Sequence, residues 1–245
     1  MKLGAVTTAY RDEETIRGTL ACLAPFVEKH FVLISEHPFN GPDLPPDRTE
    51  EICREFPNVE VIRGVWPEHV MRNVGIELCR DFDWMIGFDA DEMMTARDLA
   101  RLKLHLKSTK YDAVGFISKV YWHSPEYRFD PDPDHIKVCV IRVNSPLKYV
   151  EKQCVNGPFE ILNYRQFPFI THHHLSWSAP KDILRKVIHY NHATEFNGRS
   201  WHKNFYENWK PGEPVFQPFG TKWEAVLDPL PDELKKLLEV PCVQG

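Results

Sequence analysis

Apolar residues fall in short runs along the first 90 positions, and each run is followed by a stretch with helical spacing. Residues 3–8 form the first run. Behind the acids Asp12, Glu13 and Glu14, residues 15–26 repeat apolar positions on one helical face, with negative charge at the helix's positive end. The alternation continues with a strand over 31–35, a Pro/Gly-rich loop over 37–47, a helix over 49–56, a strand over 59–63, a helix over 70–80, and a strand over 84–88 that stops at Asp89. A βαβαβαβ order predicts a parallel, doubly wound sheet whose ligands sit beyond the carboxyl ends of the strands.

After a further helix over 99–106 the pattern changes. Residues 113–122 and 136–143 read as strands separated by Phe-Asp-Pro-Asp-Pro-Asp-His, with no crossover helix between them, so the sheet is expected to acquire antiparallel members. Three consecutive histidines, His172, His173 and His174, open a stretch whose last part has helical spacing, with Pro180 in its first turn. Residues 201–220, rich in aromatics, Gly and Pro, read as an irregular wrap, and residues 231–240 as a final helix. There is no internal repeat or low-complexity linker. The whole chain, 1–245, is therefore expected to form one α/β domain: a Rossmann-like mixed sheet, parallel in its N-terminal half and flanked by helices.

Composition narrows the function classes. A chain of 245 residues with 42% hydrophobic and 27% charged content can bury a core without disulfides. Its formal net charge of -5, spread over both halves, weighs against a domain built mainly to bind nucleic acid. Six cysteines, at 22, 53, 79, 139, 154 and 242, include no CxxC pair, so neither a zinc knuckle nor a redox dithiol is indicated, and reduced thiols are expected. The N-terminal apolar stretch is too short for a signal sequence, and no run approaches the roughly 18 apolar residues that span a bilayer. A cytoplasmic location without a transmembrane segment is the expectation.

The chemistry concentrates at the end of the fourth strand, in Phe88-Asp89-Ala90-Asp91-Glu92. Asp89 and Asp91 have the spacing that points two side chains the same way on a strand. With Glu92 beside them, a bend after Phe88 would bring their oxygens around one hard cation, Mn2+ or Mg2+, held against a diphosphate. The competing reading is a strand end and a helix cap, with Asp91 or Thr95 doing the capping.

Three segments in order, TTAYRDEETI after the first strand, RNVGIEL before the fourth and DWMIGFDADE at its end, resemble the family 2 group of GT-A glycosyltransferases. The resemblance covers the N-terminal 120 residues. It implies a GT-A fold with residues 1–120 as the nucleotide-sugar half and 121–245 as the acceptor half and C-terminal wrap. It further implies transfer of a sugar from a nucleotide diphosphate sugar, a UDP-sugar by expectation, to a hydroxyl of a glycan, a lipid or a modified DNA base. On this pattern Thr8, Ala9, Tyr10 and Glu13 form the first nucleotide loop, and Glu36 lies near the uracil or ribose. Arg72 and Asn73 face the nucleotide or its diphosphate. Asp89 contacts the ribose, or the metal through water, and Asp91 ligates the metal directly. The segment EHPFNGPDLPPDR departs from the family's acidic, Ser-rich sequence and leaves the base open. In many GT-A enzymes a histidine from the C-terminal half completes the metal site, and HHLSW followed by a basic helix is similar to that region in a subgroup. Because adjacent strand residues face opposite sides, the reading selects His174, with His172 as the other same-face candidate. The alternative is that the histidines pack against the aromatic tail or cap a turn.

The remaining candidates are less determined. An inverting transferase needs a carboxylate base near the acceptor hydroxyl, and Glu151 and Glu160, which flank CVNGPF, are the candidates, although Glu160 reads equally as a strand edge. Asp130, Asp132 and Asp134 alternate with prolines but lack the EF-hand's Gly and Glu, and read as a surface turn. His189, His192 and His202 with Glu195 have no HExxH-like pattern and read as helix histidines. Lys181, Arg185 and Lys186 fit either a phosphate or acidic acceptor, or a solvated basic face. Trp177, Trp201 and Trp209 fit either stacking on a sugar or anchoring the tail. Two rival functions stand beside the transferase. A nucleotidyltransferase would want a Gly-rich phosphate loop where TTAYRDEET has no glycine, and a non-catalytic nucleotide-sugar binding module would keep the carboxylates for binding alone.

Overall fold

The computed structural model describes residues 1–130, 137–149, 164–178, 180–189, 193–216 and 222–239. Its centre is Leu3–Ala9 (β1), buried along almost its whole length. It pairs in parallel with Lys29–Ser35 (β2) on one edge and Trp84–Asp89 (β4) on the other. Val59–Gly64 (β3) continues the parallel set beyond β2, giving the order β3-β2-β1-β4. β1, β2 and β4, buried along most of their length, read as apolar runs, while β3 at the edge is less buried and shows Val59, Val61 and Ile62 as its apolar positions. The period of two sorts their side chains. Val32 and Ile34 pack with Ile16 and Leu20 of Ile16–Leu23 (α1) and Ile52 of Thr49–Arg54 (α2), whereas Phe31 and Leu33 pack with Met71 of Glu68–Leu78 (α3). Helices therefore cover both faces, as a doubly wound sheet requires. Gly75 lets α3 approach β1: a Cβ there would stand 2.5 Å from a methyl of Val6. The glycine of Arg-Asn-x-Gly thus has a packing reason.

The second half adds antiparallel strands. Ala113–Trp122 (β6) pairs antiparallel with Lys137–Arg142 (β8), which in turn pairs antiparallel with β4. β6 also runs parallel to Tyr164–Trp177 (β9), and the two-residue strand Glu92–Met93 (β5) pairs antiparallel with β9. Tyr127–Asp130 (β7) meets the end of β6. Ala96–Leu106 (α4) starts at Thr95, whose hydroxyl accepts a hydrogen bond from the Asp98 N–H, so the cap foreseen for this segment falls to Thr95. Pro180–His189 (α5) packs through Ile183 and Val187, one helical turn apart, onto Val120, Trp122 and Trp177.

Three readings of the second half need correction. The segment read as an irregular wrap contains Gly198–Trp201 (α6), a π-helical turn over His202–Tyr206 and the short strand Val215–Phe216 (β10). Lys222–Leu227 forms a strand (β11) that the pattern did not predict; it pairs with β10 and β7. Asp130 ends β7 opposite Glu224, so it belongs to a strand and not to a surface turn. Trp177, Trp201 and Trp209 are buried around Trp122, and the indoles of Trp201 and Trp209 donate to the carbonyls of Phe216 and Glu213 at 2.7 and 3.0 Å. They anchor the tail. Asp232–Glu239 (α7) closes the described chain against α1. Among the described residues no helix is long and apolar enough to cross a membrane.

Candidate metal centre at the end of β4

The strand order reverses between β1 and β4, and Thr8 stands in register with Asp89 at their carboxyl ends. Such a switch point opens a crevice where ligands of open α/β sheets bind. The Asp89 carboxylate accepts hydrogen bonds from the Thr8 hydroxyl at 3.0 Å and from Arg72 at 2.6 Å. Arg72 comes from α3, also binds Glu68 at 2.9 Å and lies over the Tyr149 ring. Burial opposes its charge, but Asp89 and then Glu68 outweigh burial and hold the guanidinium well above its ordinary value.

Beyond Asp89 the chain bends at buried Ala90, whose carbonyl accepts from the Thr19 hydroxyl, and the next two acids turn elsewhere. Asp91 Oδ1 lies 3.3 Å from His174 Nε2, and Oδ2 accepts a 2.6 Å hydrogen bond from Lys186. Glu92 is wholly buried and pairs across the β5–β9 ladder with His174. Its Oε1 lies 3.8 Å from His174 Nε2, and its Oε2 accepts from the Asp89 N–H at 2.9 Å while facing His172 at 3.3 Å. One ligand atom from each of Asp91, Glu92 and His174 lies within 4.8 Å of the others, the arrangement among the described residues that fits a metal ion. Two carboxylates and one imidazole suit Mn2+, or Mg2+ completed by water.

The strand period explains the histidines. His172 and His174 share one face of β9, and the His172 ring also meets the Ser118 hydroxyl at 2.9 Å. His173 points away to the Tyr121 hydroxyl, and burial pushes it down to about 3, with His172 and Lys119 adding to the shift. On α5, Arg185 and Lys186 lie off the stripe of Ile183 and Val187 and reach the Tyr10 carbonyl and Asp91. Burial raises the Asp91 carboxyl, but Lys186 and His174 overcome this and hold it well below the usual range.

The first loop encloses the other side. The Tyr10 N–H binds Asp12, its carbonyl accepts from Arg185, and its hydroxyl accepts from the Leu44 N–H. Ala9 is buried against α1 and α2. Glu13 accepts from the Arg48 N–H and ties the β1 loop to the start of α2. Arg11 holds φ at 56°, in the left-handed region, and its buried Nε and Nη1 have no hydrogen-bond partner among the described residues. Glu36 is exposed at the end of β2, 3.5 Å from Arg63. Asn73 bonds both backbone groups of Tyr149 at 2.8 Å, so its amide fixes that segment. Asp132, Asp134, Glu151, Glu160 and His192 lie outside the described residues. His189 binds the Asn40 carbonyl and His202 stacks on Tyr206, each apart from the carboxylates.

Asp12 gives a pH signature. Burial pushes its carboxyl up to about 7 despite Arg185 and the Tyr10 N–H, which favour the charge. Between about pH 4 and 7 the folded protein keeps a proton that the unfolded chain has lost, so this group makes stability fall as pH rises through that window. Asp12→Asn removes the titration. Because the side chain is 26% exposed, water screens part of the effect. The variant should gain on the order of 1 kcal/mol over wild type between pH 4.5 and 8. Urea unfolding at a series of pH values checks this, and parallel wild-type and variant profiles would refute it.

No protein-family model matches the chain, and no curated protein does. Among solved structures it is similar to S. aureus TarS, with a TM-score of 0.48 and 13% identity over 76% of this chain and 38% of that one. Glucosyl-3-phosphoglycerate synthase from Mycobacterium tuberculosis, in complex with Mn2+, UDP and phosphoglyceric acid, matches with a TM-score of 0.39 and 17% identity over 48% of this chain and 43% of that one. CMP:2-keto-3-deoxy-manno-octonic acid synthetase complexed with CTP matches with a TM-score of 0.38 and 14% identity over 59% of this chain and 75% of that one. The chain spans 38% and 41% of the first two solved structures it matches.

Proposed function

We propose that the chain is a metal-dependent glycosyltransferase of the GT-A type, moving a sugar from a nucleotide diphosphate sugar to a hydroxyl acceptor, with a UDP-sugar as the donor. The observation that carries this reading is the convergence of Asp91, Glu92 and His174 just past the switch point between β1 and β4. The sequence resemblance of the first 120 residues supports the choice of donor. An Mn2+ or Mg2+ ion on these three side chains would supply Lewis-acid stabilisation of the diphosphate leaving group.

The chain's own residues take the other parts. Arg72 is committed to Asp89 and Glu68, so its work is to hold the Asp89 carboxylate in place toward the ribose. Buried guanidinium nitrogens without acceptors are costly unless a ligand supplies them, and Arg11 would donate through Nε and Nη1 to the donor's phosphates. Asn73 would act by holding Tyr149 under Arg72. In the reaction the bond from anomeric carbon to diphosphate oxygen breaks, the acceptor oxygen bonds to that carbon, and the hydroxyl proton passes to a base, for which Glu151 and Glu160 are the sequence candidates.

A panel of nucleotide sugars incubated with Mn2+, Mg2+ or EDTA tests the reading. Release of nucleoside diphosphate that EDTA abolishes is expected. Release of inorganic diphosphate from a nucleoside triphosphate and a sugar phosphate would assign a nucleotidyltransferase instead, and tight nucleotide-sugar binding without turnover would assign a binding module.

A further inference from the structure

We propose that Lys186 is a resident cation of this centre, which competes with the divalent ion for Asp91 and makes ion binding depend on the nucleoside diphosphate. Its ammonium sits 2.6 Å from Asp91 Oδ2 and is steadied by the Ser176 hydroxyl at 3.1 Å. The Trp177 ring lies 5.9 Å away. The oxygen it holds is not the one nearest His174: Oδ1 faces the imidazole, so Asp91 is divided between an ion position and a lysine.

A charge count follows from the pairings. Asp89 is held by Arg72, away from the ion position. Of the two carboxylates at that position, Asp91 and Glu92, Asp91 carries the Lys186 ammonium. A dication would therefore meet one negative charge fewer than the same carboxylates would offer without Lys186, and the affinity of such sites follows the ligand charge count. A diphosphate restores the missing charge. It gives the ammonium a second anionic partner, so ion and diphosphate each strengthen the other by the same factor. The ion half of this proposal stands on geometry alone, and the diphosphate half rests on the donor reading above.

The test measures Mn2+ binding by electron paramagnetic resonance of the free ion, with and without UDP, in wild type, Lys186→Met and Lys186→Arg. Lys186→Met should bind Mn2+ alone more tightly, on the order of tenfold, because a positive charge next to a ligand oxygen has gone. The enhancement of Mn2+ affinity by UDP should shrink in the same variant, and Lys186→Arg should keep the weak ion binding of wild type. A lysine that only braced the fold would give the opposite sign, since loosening the site weakens ion binding. Mn2+ affinity in Lys186→Met equal to or below wild type overturns the proposal, as does an undiminished UDP enhancement. If Lys186→Met gains ion affinity while no nucleotide sugar is turned over by wild type, the transferase reading fails and the competition at Asp91 stands.

Discussion

Asp91→Asn should reduce metal-dependent release of nucleoside diphosphate by about a thousandfold or more, in a protein that remains folded, a loss of the size seen when a charge-stabilising group is removed from a transition state. The amide keeps the shape of the carboxylate and loses the charge, so the ion would be left with Glu92 and His174. The cost to the fold should be small. Lys186 is 25% exposed and can turn its ammonium to water when its partner becomes neutral. His174→Ala should cost less than Asp91→Asn, because it removes a neutral ligand and leaves both carboxylates. Turnover at saturating Mn2+ alongside a thermal unfolding curve separates the two effects. A folded Asp91→Asn protein with wild-type turnover would remove Asp91 from the reaction.

How much of this was legible in the sequence depended on how far apart the interacting residues lie. β1 to β4 and their helices were visible because β1, β2 and β4 are buried along most of their length, β3 keeps Val59, Val61 and Ile62 as apolar positions, and each helix shows its own period. The acids of 89–92 were visible as a local cluster, but their division was not. The bend at Ala90 sends Asp89 to Arg72 and Thr8, while Asp91 and Glu92 turn to β9, and a period of two along a continuous strand would have kept Asp89 and Asp91 together. His174 entered through a resemblance, since its register against Glu92 depends on a non-local strand pairing. Lys186 read as part of a basic helix that fits either a phosphate or acidic acceptor or a solvated face, and its contact with Asp91 spans 95 positions. β11 was missed for the same kind of reason: it is short, half polar, and secured by β7 about a hundred residues earlier.

Arg72→Met should give the largest loss of stability, about 2–4 kcal/mol, because it strands the partly buried carboxylates of Asp89 and Glu68 without their cation. For a chain of this size that lowers the melting temperature by roughly 5–12 °C. The pair need not itself be strongly stabilising: removing one partner is costly because the other keeps its charge in a site that water reaches poorly, with Arg72 only 16% exposed. Asp89→Asn in the Arg72→Met background should therefore recover part of the loss, although the same change alone in wild type is destabilising. Glu68 also loses Arg72 in the double variant, but at 29% exposure on the first turn of α3 it is hydrated and sits at the helix's positive end. Chemical denaturation of the four proteins gives the coupling energy directly. Additive effects would mean that Arg72 does not hold Asp89, and would then also remove the reason for placing Asp89, fixed by Arg72, beside the ribose.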